Sequence, residues 1–287
     1  MNWRALMLGL LFAAAWSSAF TSARIVVADA PPFLALTVRF LISGLIALGI
    51  GFALGQRIRL DRRAWQGVIL FGLCQNALYL GLNFEGMRTV EASLASVIAS
   101  MLPLIVAALG RITGERLAPR ALAGLAAGFA GVLIIMASRI GQGADPFGMA
   151  LCLIGVFSLS VATLLVRGVS GGGNLWIVVG LQMLVGSAAL LPVSLVLETW
   201  HVNWTLPMVT AFIYTTLIPG VGATMIWFVL VGMIGATRAA TFHFLNPFLG
   251  VATAALILGE RVGLRDVIGV VIIMAGILAV QTARQKG

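Results

Sequence analysis

Charge is scarce in this sequence. Only 9% of its 287 residues are Asp, Glu, Lys or Arg, against about 25% in a soluble domain. The nine acidic residues, Asp29, Asp61, Glu85, Glu91, Glu115, Asp145, Glu198, Glu260 and Asp266, all lie in loops or at the ends of apolar runs. Proton-driven carriers usually relay through an intramembrane carboxylate, and none is present. The two cysteines, Cys74 and Cys152, both sit within apolar runs, so no disulfide framework is implied. Metal-ligand clusters are missing as well. The glycine run Gly171-Gly172-Gly173 lacks the Lys-Ser/Thr that a phosphate-binding loop needs. Catalysis and ATP drive both lack parts, so the expectation is no enzyme, no cofactor and no metal.

What is abundant is apolar sequence. The chain is 61% hydrophobic, in recurring runs of about 20 residues, the length that a bilayer core demands. No period of two runs through them, which argues against a membrane β-barrel. The reading is an all-α polytopic membrane protein. A net charge of +9 would point to nucleic acid in a soluble protein; here the basic residues sit in short loops and orient the chain in lipid. The partners expected are membrane lipid and a small molecule, not nucleic acid. Near the N-terminus, Arg4, an apolar run and the small residues Ala19 to Ala23 resemble a secretory signal. The many spans that follow favour an uncleaved first helix.

Ten spans are expected: 4–23, 33–54, 65–84, 90–110, 119–138, 147–167, 175–197, 207–231, 237–258 and 264–283. Pro32, Pro119, Pro146 and Pro207 mark starts, where a missing N–H costs nothing. One stretch occurs twice. Ser93, Pro103 and Gly114-Glu115-Arg116 are matched by Thr237, Pro247 and Gly259-Glu260-Arg261, followed by Arg120 and Arg265, Gly124 and Gly269, Gly131 and Gly276. The offset is 144 at the prolines and 145 at the Gly-Glu-Arg signatures. So steady a spacing marks an internal duplication, with one five-helix repeat in residues 1–140 and a second in 141–287. Five is odd, so the second must cross in the opposite sense. Inverted repeats of this kind place a binding site near the midplane at their interface.

With the N-terminus inside, twelve basic residues fall on the inner side and five on the outer, so the positive-inside rule puts both termini in the cytoplasm. Trp3, Trp65, Trp176, Trp200 and Trp204 fall at span ends, as an interfacial belt would; only Trp16 and Trp227 are internal. The spacings Gly51 to Gly55 and Gly124 to Gly128 suit close helix packing in lipid.

Polar groups inside the spans are the candidate site. Gln75, Asn76, Tyr79 and Asn83 fall within an arc of about 100° on the third span, and Ser93, Ser96 and Ser100 within about 60° on the fourth. Stripes of this kind line a cavity or hydrogen-bond between helices, the latter at about 0.6 kcal/mol per contact. Pro103 and Pro247 each kink a span and free the carbonyl of Ala99 or His243. Such a carbonyl can accept from a substrate ammonium, and the following half-helix offers its positive end to a carboxylate. Re-satisfaction by Ser96, Ser100 or a neighbouring helix is the alternative, but two kinks in corresponding places of the two halves favour a functional role. His243, beside Asn246, is the only histidine within a span, and Arg39 the only basic residue well inside one; Arg39 reads as structural, snorkelling outward or bonding helix-end carbonyls. Tyr79 and Tyr214 are belt residues or an aromatic cluster under an outer gate.

Trp16-Ser17-Ser18-Ala19-Phe20, Arg39-Phe40-Leu41-Ile42 and the two Pro…Gly-Glu-Arg segments together resemble the drug/metabolite transporter superfamily, in its ten-helix EamA-type branch. The resemblance covers essentially the whole chain and is nearest to bacterial aromatic amino-acid exporters. It implies a multi-pass inner-membrane exporter of small metabolites working by alternating access. Substrate contacts are then expected at Trp16, Gln75, Asn76, Tyr79, Ser96, Ser100, Tyr214, His243 and Asn246, in a cavity surrounded by spans one, three, four, six, eight and nine. The second repeat departs from the pattern, with Val156-Phe157-Ser158-Leu159-Ser160 where the first has its Trp16 motif. A drug or nucleotide-sugar carrier is the alternative within transport, and a non-transporting intramembrane scaffold the alternative outside it.

Overall fold

The computed structural model describes residues 3–112, 114, 117–165, 174–234 and 239–284. They form ten helical spans: α1 Trp3–Asp29, α2 Pro32–Ala53, α3 Arg62–Gly86, α4 Ala92–Ile112, α5 Pro119–Ile140, α6 Pro146–Leu165, α7 Leu175–Leu197 and α8 Leu206–Ile234, then α9 and α10. α9 is a 3₁₀ stretch, Ala240–Leu245, running into Asn246–Leu258; α10 is Leu264–Arg284. Nine of these helices are long and apolar enough to span a bilayer, and α9 contributes a shorter apolar helix among the described residues. The all-α polytopic expectation holds. α1 runs six residues beyond its expected end, because residues 17–27 are largely buried in the bundle rather than leaving the bilayer. Glu115, Arg116, Arg167, Gly171 to Gly173, Thr237, Arg238 and Lys286, all used in reading the sequence, lie outside the described residues.

The inverted repeat is visible in which helix ends meet. At one face, the Asp29 end, the amide of Asn203 before α8 donates to the carbonyl of Asp29 after α1, and Thr205 Oγ1 donates to the Asp29 carboxylate at 2.7 Å. Glu198, just past α7, accepts from the amides of Phe33 and Leu34 at the start of α2, at 2.7 and 2.8 Å. The opposite face repeats this arrangement. Gln56, just past α2, accepts from the amides of Trp176 and Ile177 at the start of α7, at 3.0 and 3.4 Å. α2 and α7 therefore run antiparallel, each closing the other's orphan N-terminal donors. α5 and α10 form the second such pair. Arg139 at the end of α5 makes a two-pronged ion pair with Asp266 at the start of α10, at 3.0 and 3.2 Å, and reaches Glu91 and the carbonyl of Arg261. Helices that correspond in the two repeats thus cross in opposite senses.

Small residues let these pairs close. A methyl group added to Gly276 would fall 2.6 Å from the carbonyl oxygen of Gly124, and one added to Gly131 would fall 2.9 Å from that of Gly269. The matched glycines of the duplication are where α5 and α10 pack backbone to backbone. Gly55 is needed for another reason, since it ends α2 in open space with a φ of +76°.

The second Gly-Glu-Arg signature acquires a physical reason. Gly259 ends α9 with φ +68°, a left-handed cap that glycine adopts at little cost. The chain turns back, and Glu260 accepts from the amides of Ala92 and Ser93 at the start of α4, at 2.8 and 2.9 Å. The other described carboxylates are also engaged at span ends. Asp145 accepts from Thr89 Oγ1 and from the amides of Phe147 and Gly148, bonds that hold its carboxyl below the usual carboxylate range. Asp61 caps α3, and Glu85 pairs with Arg88.

Two outcomes follow from this architecture. With Cys74 and Cys152 replaced by alanine, cysteines at Arg59 and Trp204 will react with a membrane-impermeant reagent from opposite sides of the membrane; same-side labelling would remove the inversion. Glu260→Ala will lower stability by about 1–2 kcal/mol through loss of the α4 cap, read as a drop in melting temperature that Glu260→Gln largely restores.

Candidate functional site

α3 and α8 are not regular helices throughout. Gly72–Leu80 in α3 and Thr216–Ala223 in α8 are π-helical, and their first residues are 144 apart, the same offset as the prolines. π-Turns admit an extra residue, loosen the backbone ladder and occur often at functional sites. Pro219 lies inside the α8 segment and has no N–H to give.

Between these two segments lies the cavity. It is walled by Trp16, Phe20 and Ala23 of α1, by Arg39 and Phe40 of α2, by Gln75, Asn76, Tyr79 and Asn83 of α3, by Met183 of α7, and by Pro219, Gly220 and Thr224 of α8. At the 144-residue offset Gln75 corresponds to Pro219, Asn76 to Gly220 and Leu80 to Thr224, all in the wall. The cavity therefore sits between matched segments of the two repeats, and the first repeat supplies most of its polar groups. Its volume is about 40 Å³, room for water but not for an amino acid.

The polar groups divide by how well they are partnered. Asn76 Nδ2 donates to the carbonyl of Gln182 at 2.9 Å and Asn83 Nδ2 to that of Tyr79 at 2.8 Å. Asn83 Oδ1 is buried without a partner, as is Nε of Arg39. Neither the Tyr79 hydroxyl nor the Gln75 amide forms a hydrogen bond among the described residues. Arg39 does not snorkel. It lies two turns inside α2 at 5% exposure, its guanidinium 5.4 and 5.9 Å from the rings of Phe40 and Phe84. The outward placement expected for it is not found; its depth in the span is the sequence signal that it faces the bundle interior.

Four of the nine expected contacts, Trp16, Gln75, Asn76 and Tyr79, come together in this wall. The others lie elsewhere. Ser96, His243 and Asn246 form a network where α1, α4 and α9 cross. Ser17 Oγ donates to Asn246 Oδ1 at 3.3 Å, Asn246 Nδ2 donates to His243 Nδ1 at 2.9 Å, and Ser96 Oγ donates to the carbonyl of Asn246 at 3.4 Å. An Nδ1 that accepts belongs to a neutral imidazole. The carbonyl of His243, freed by Pro247, takes the amide of Asn246. α4 breaks between Ala99 and Leu102, just before Pro103, and Ser100 Oγ donates to the carbonyl of Val97 at 2.6 Å. The carbonyl freed by Pro247 is thus satisfied inside the protein, and neither proline lines the cavity. Tyr214 is 37% exposed on α8 and shares a 2.7 Å hydrogen bond with Ser18. The wall draws on α2 and α7 where the sequence suggested α4, α6 and α9, because α4 and α9 meet too closely to leave space: a side chain at Gly250 would collide with Ser96.

Trp16 joins the cavity to a ring cluster on its Gln56 side. Phe12 packs on Trp16, Trp227 and His243 at 5.6, 5.0 and 5.2 Å, and Trp227 on His243 at 5.2 Å. At the Asp29 end, Arg24 Nη1 donates to the carbonyl of Met87, tying α1 to α3.

Comparison with known proteins agrees with this picture. Residues 3–137 and 146–282 each match the EamA-like transporter family. An uncharacterized transporter of Bacillus subtilis is 27% identical over 93% of this chain and 88% of its own. A probable amino-acid metabolite efflux pump of Salmonella typhimurium is 30% identical over 94% of this chain and 92% of its own. One solved crystal structure superposes with a TM-score of 0.72, covering 100% of this chain and 99% of that one at 21% identity, and so shares the fold.

Substitutions will separate cavity from scaffold. Tyr79→Phe and Gln75→Leu remove groups without protein partners, so folding stability will change by less than about 0.5 kcal/mol while transport rate or preference shifts. Asn246→Leu breaks a buried network and will cost about 1–3 kcal/mol with selectivity retained. Thermal melting beside solute flux checks both.

Proposed function

The chain belongs to the EamA-like transporter family, and from that premise we propose that it exports small amino acids, hydrophobic or aromatic ones above all, by alternating access. That it is a multi-pass membrane transporter follows from the family and the spans. The amino-acid reading rests on one observation: a small cavity between matched segments of the two repeats combines unpartnered polar groups, Arg39, Tyr79, Gln75 and Asn83 Oδ1, with an apolar remainder. A small solute with a polar head and an apolar body fits such a wall. The Salmonella relative, described as a probable amino-acid metabolite efflux pump, lends the same support. The proposed setting is a bacterial inner membrane, with the Gln56 end and both termini in the cytoplasm, since twelve of the loop and end basic residues belong to that side and five to the other.

The proposed driving force is the amino-acid gradient itself. Each described carboxylate is engaged at a span end, and His243 Nδ1 accepts a hydrogen bond among Phe12, Trp16 and Trp227. No described carboxylate or histidine lines the cavity to carry a proton between states. In proteoliposomes, purified protein will catalyse counterflow of labelled phenylalanine, and an imposed pH gradient will leave net flux unchanged in wild type and in His243→Gln. Uphill accumulation driven by that gradient and lost in His243→Gln would make His243 the proton carrier. No flux of any amino acid would sink the substrate reading.

A further inference from the structure

Arg39 enters the membrane region about 10 Å along α2 from Pro32, at 1.5 Å per residue. Its side chain is buried and lines the cavity, its Nε lacks a partner, and its guanidinium forms no ion pair or hydrogen bond among the described residues. Every described carboxylate is already held at a span end: Asp29 by Thr205, Asp61 by Ala64, Glu85 by Arg88, Glu91 and Asp266 by Arg139, Asp145 by Thr89, Glu198 by α2 and Glu260 by α4. The Phe40 and Phe84 rings soften the charge through their π faces without replacing an anion. Arginine keeps its proton, so it cannot escape the cost of burial by turning neutral. A cation kept unpaired inside a membrane protein marks a substrate or ion pathway.

We infer that Arg39 binds the carboxylate of the transported molecule, so that the cavity selects monocarboxylates over their neutral and cationic analogues. The inference rests on the transport reading above and names what that reading left open. The guanidinium fork matches a carboxylate with two parallel N–H···O bonds. One cation in the wall balances one negative charge; the phosphates of a nucleotide sugar would exceed it. Tyr79 and Gln75 offer further polar contacts, and Phe20, Met183 and Pro219 an apolar surface for the rest of the molecule.

The test compares phenylalanine, 3-phenylpropionate, phenylalaninamide and phenethylamine, four molecules sharing a benzyl body. Each is used as a ligand in thermal-shift titrations of purified protein and as a competitor of labelled-phenylalanine counterflow. The two carboxylates will act at concentrations at least tenfold lower than the amide and the amine. Arg39→Gln will erase that preference at an unliganded melting temperature equal to or above wild type, because an unpaired buried charge has gone; Arg39→Lys will keep part of the preference. Equal potency of all four in wild type overturns the inference, and so does a folded Arg39→Gln that keeps the carboxylate preference. The wild-type series decides the matter even where Arg39→Gln does not fold. The two readings fail separately. Amino-acid flux without carboxylate preference removes only the role of Arg39. Absence of amino-acid flux, with a carboxylate-dependent thermal shift lost in Arg39→Gln, removes only the amino-acid reading.

Discussion

In hydrocarbon a backbone amide or carbonyl without a partner costs several kcal/mol, and helix ends are where such groups are exposed. This protein closes three helix starts with side chains from the opposite repeat. Glu198 closes α2, Gln56 closes α7 and Glu260 closes α4. The closures do two things at once. They satisfy the orphan donors, and they fasten the two repeats to each other in the antiparallel sense that the topology requires. Arg139, held between Glu91 and Asp266, extends the same device to α5 and α10. Scarce charge is thereby concentrated where it contributes most, at the two faces, and the middle of the bundle is left to packing and neutral polar groups.

Against that background an unpartnered polar group in the middle stands out. The network of Ser17, Ser96, His243 and Asn246 follows the rule: its donors and acceptors meet one another, so α1, α4 and α9 cross tightly. The cavity departs from the rule in Arg39 and Asn83, beside two π-helical segments whose loosened ladders allow α3 and α8 to bend. Thr37 Oγ1 and Ser93 Oγ are also buried without partners, but neither lies in the cavity wall.

Much of this was legible in the sequence because its causes are local. Prolines and glycines state backbone needs directly, so the repeat, the helix breaks at Pro103 and Pro247 and the left-handed turn at Gly259 could be read from residue type. The stripe of Gln75, Asn76, Tyr79 and Asn83 was legible because polar groups in lipid must face inward. The π segments were not: passing from an α to a π turn changes which amide meets which carbonyl without changing composition, and Pro219 was the one residue that hinted at it. Nor could the serines be sorted. Ser96 and Gln75 look equally polar in a string, and only the neighbours, Asn246 for one and none for the other, tell a scaffold bond from an open valence. The placement of Arg39 was not legible for a related reason, since snorkelling and inward pointing differ in rotamer and neighbours rather than in position along the chain.

The duplication preserves backbone better than chemistry, and that difference bears on how the molecule can work. At matched positions the first repeat has Gln75 and Asn76 where the second has Pro219 and Gly220. Trp16 of α1 lines the cavity, while Ser160, 144 residues on in α6, is buried and donates to the carbonyl of Val156. Symmetry of the backbone is what the proposed alternation between two open states needs, because the same antiparallel pairs and the same π segments could then loosen at either face. Symmetry of the side chains would serve no purpose for a solute with unlike ends. A molecule with a polar head and an apolar body is held better by one polar wall and one apolar wall, and each repeat has kept the wall that its own residues can build.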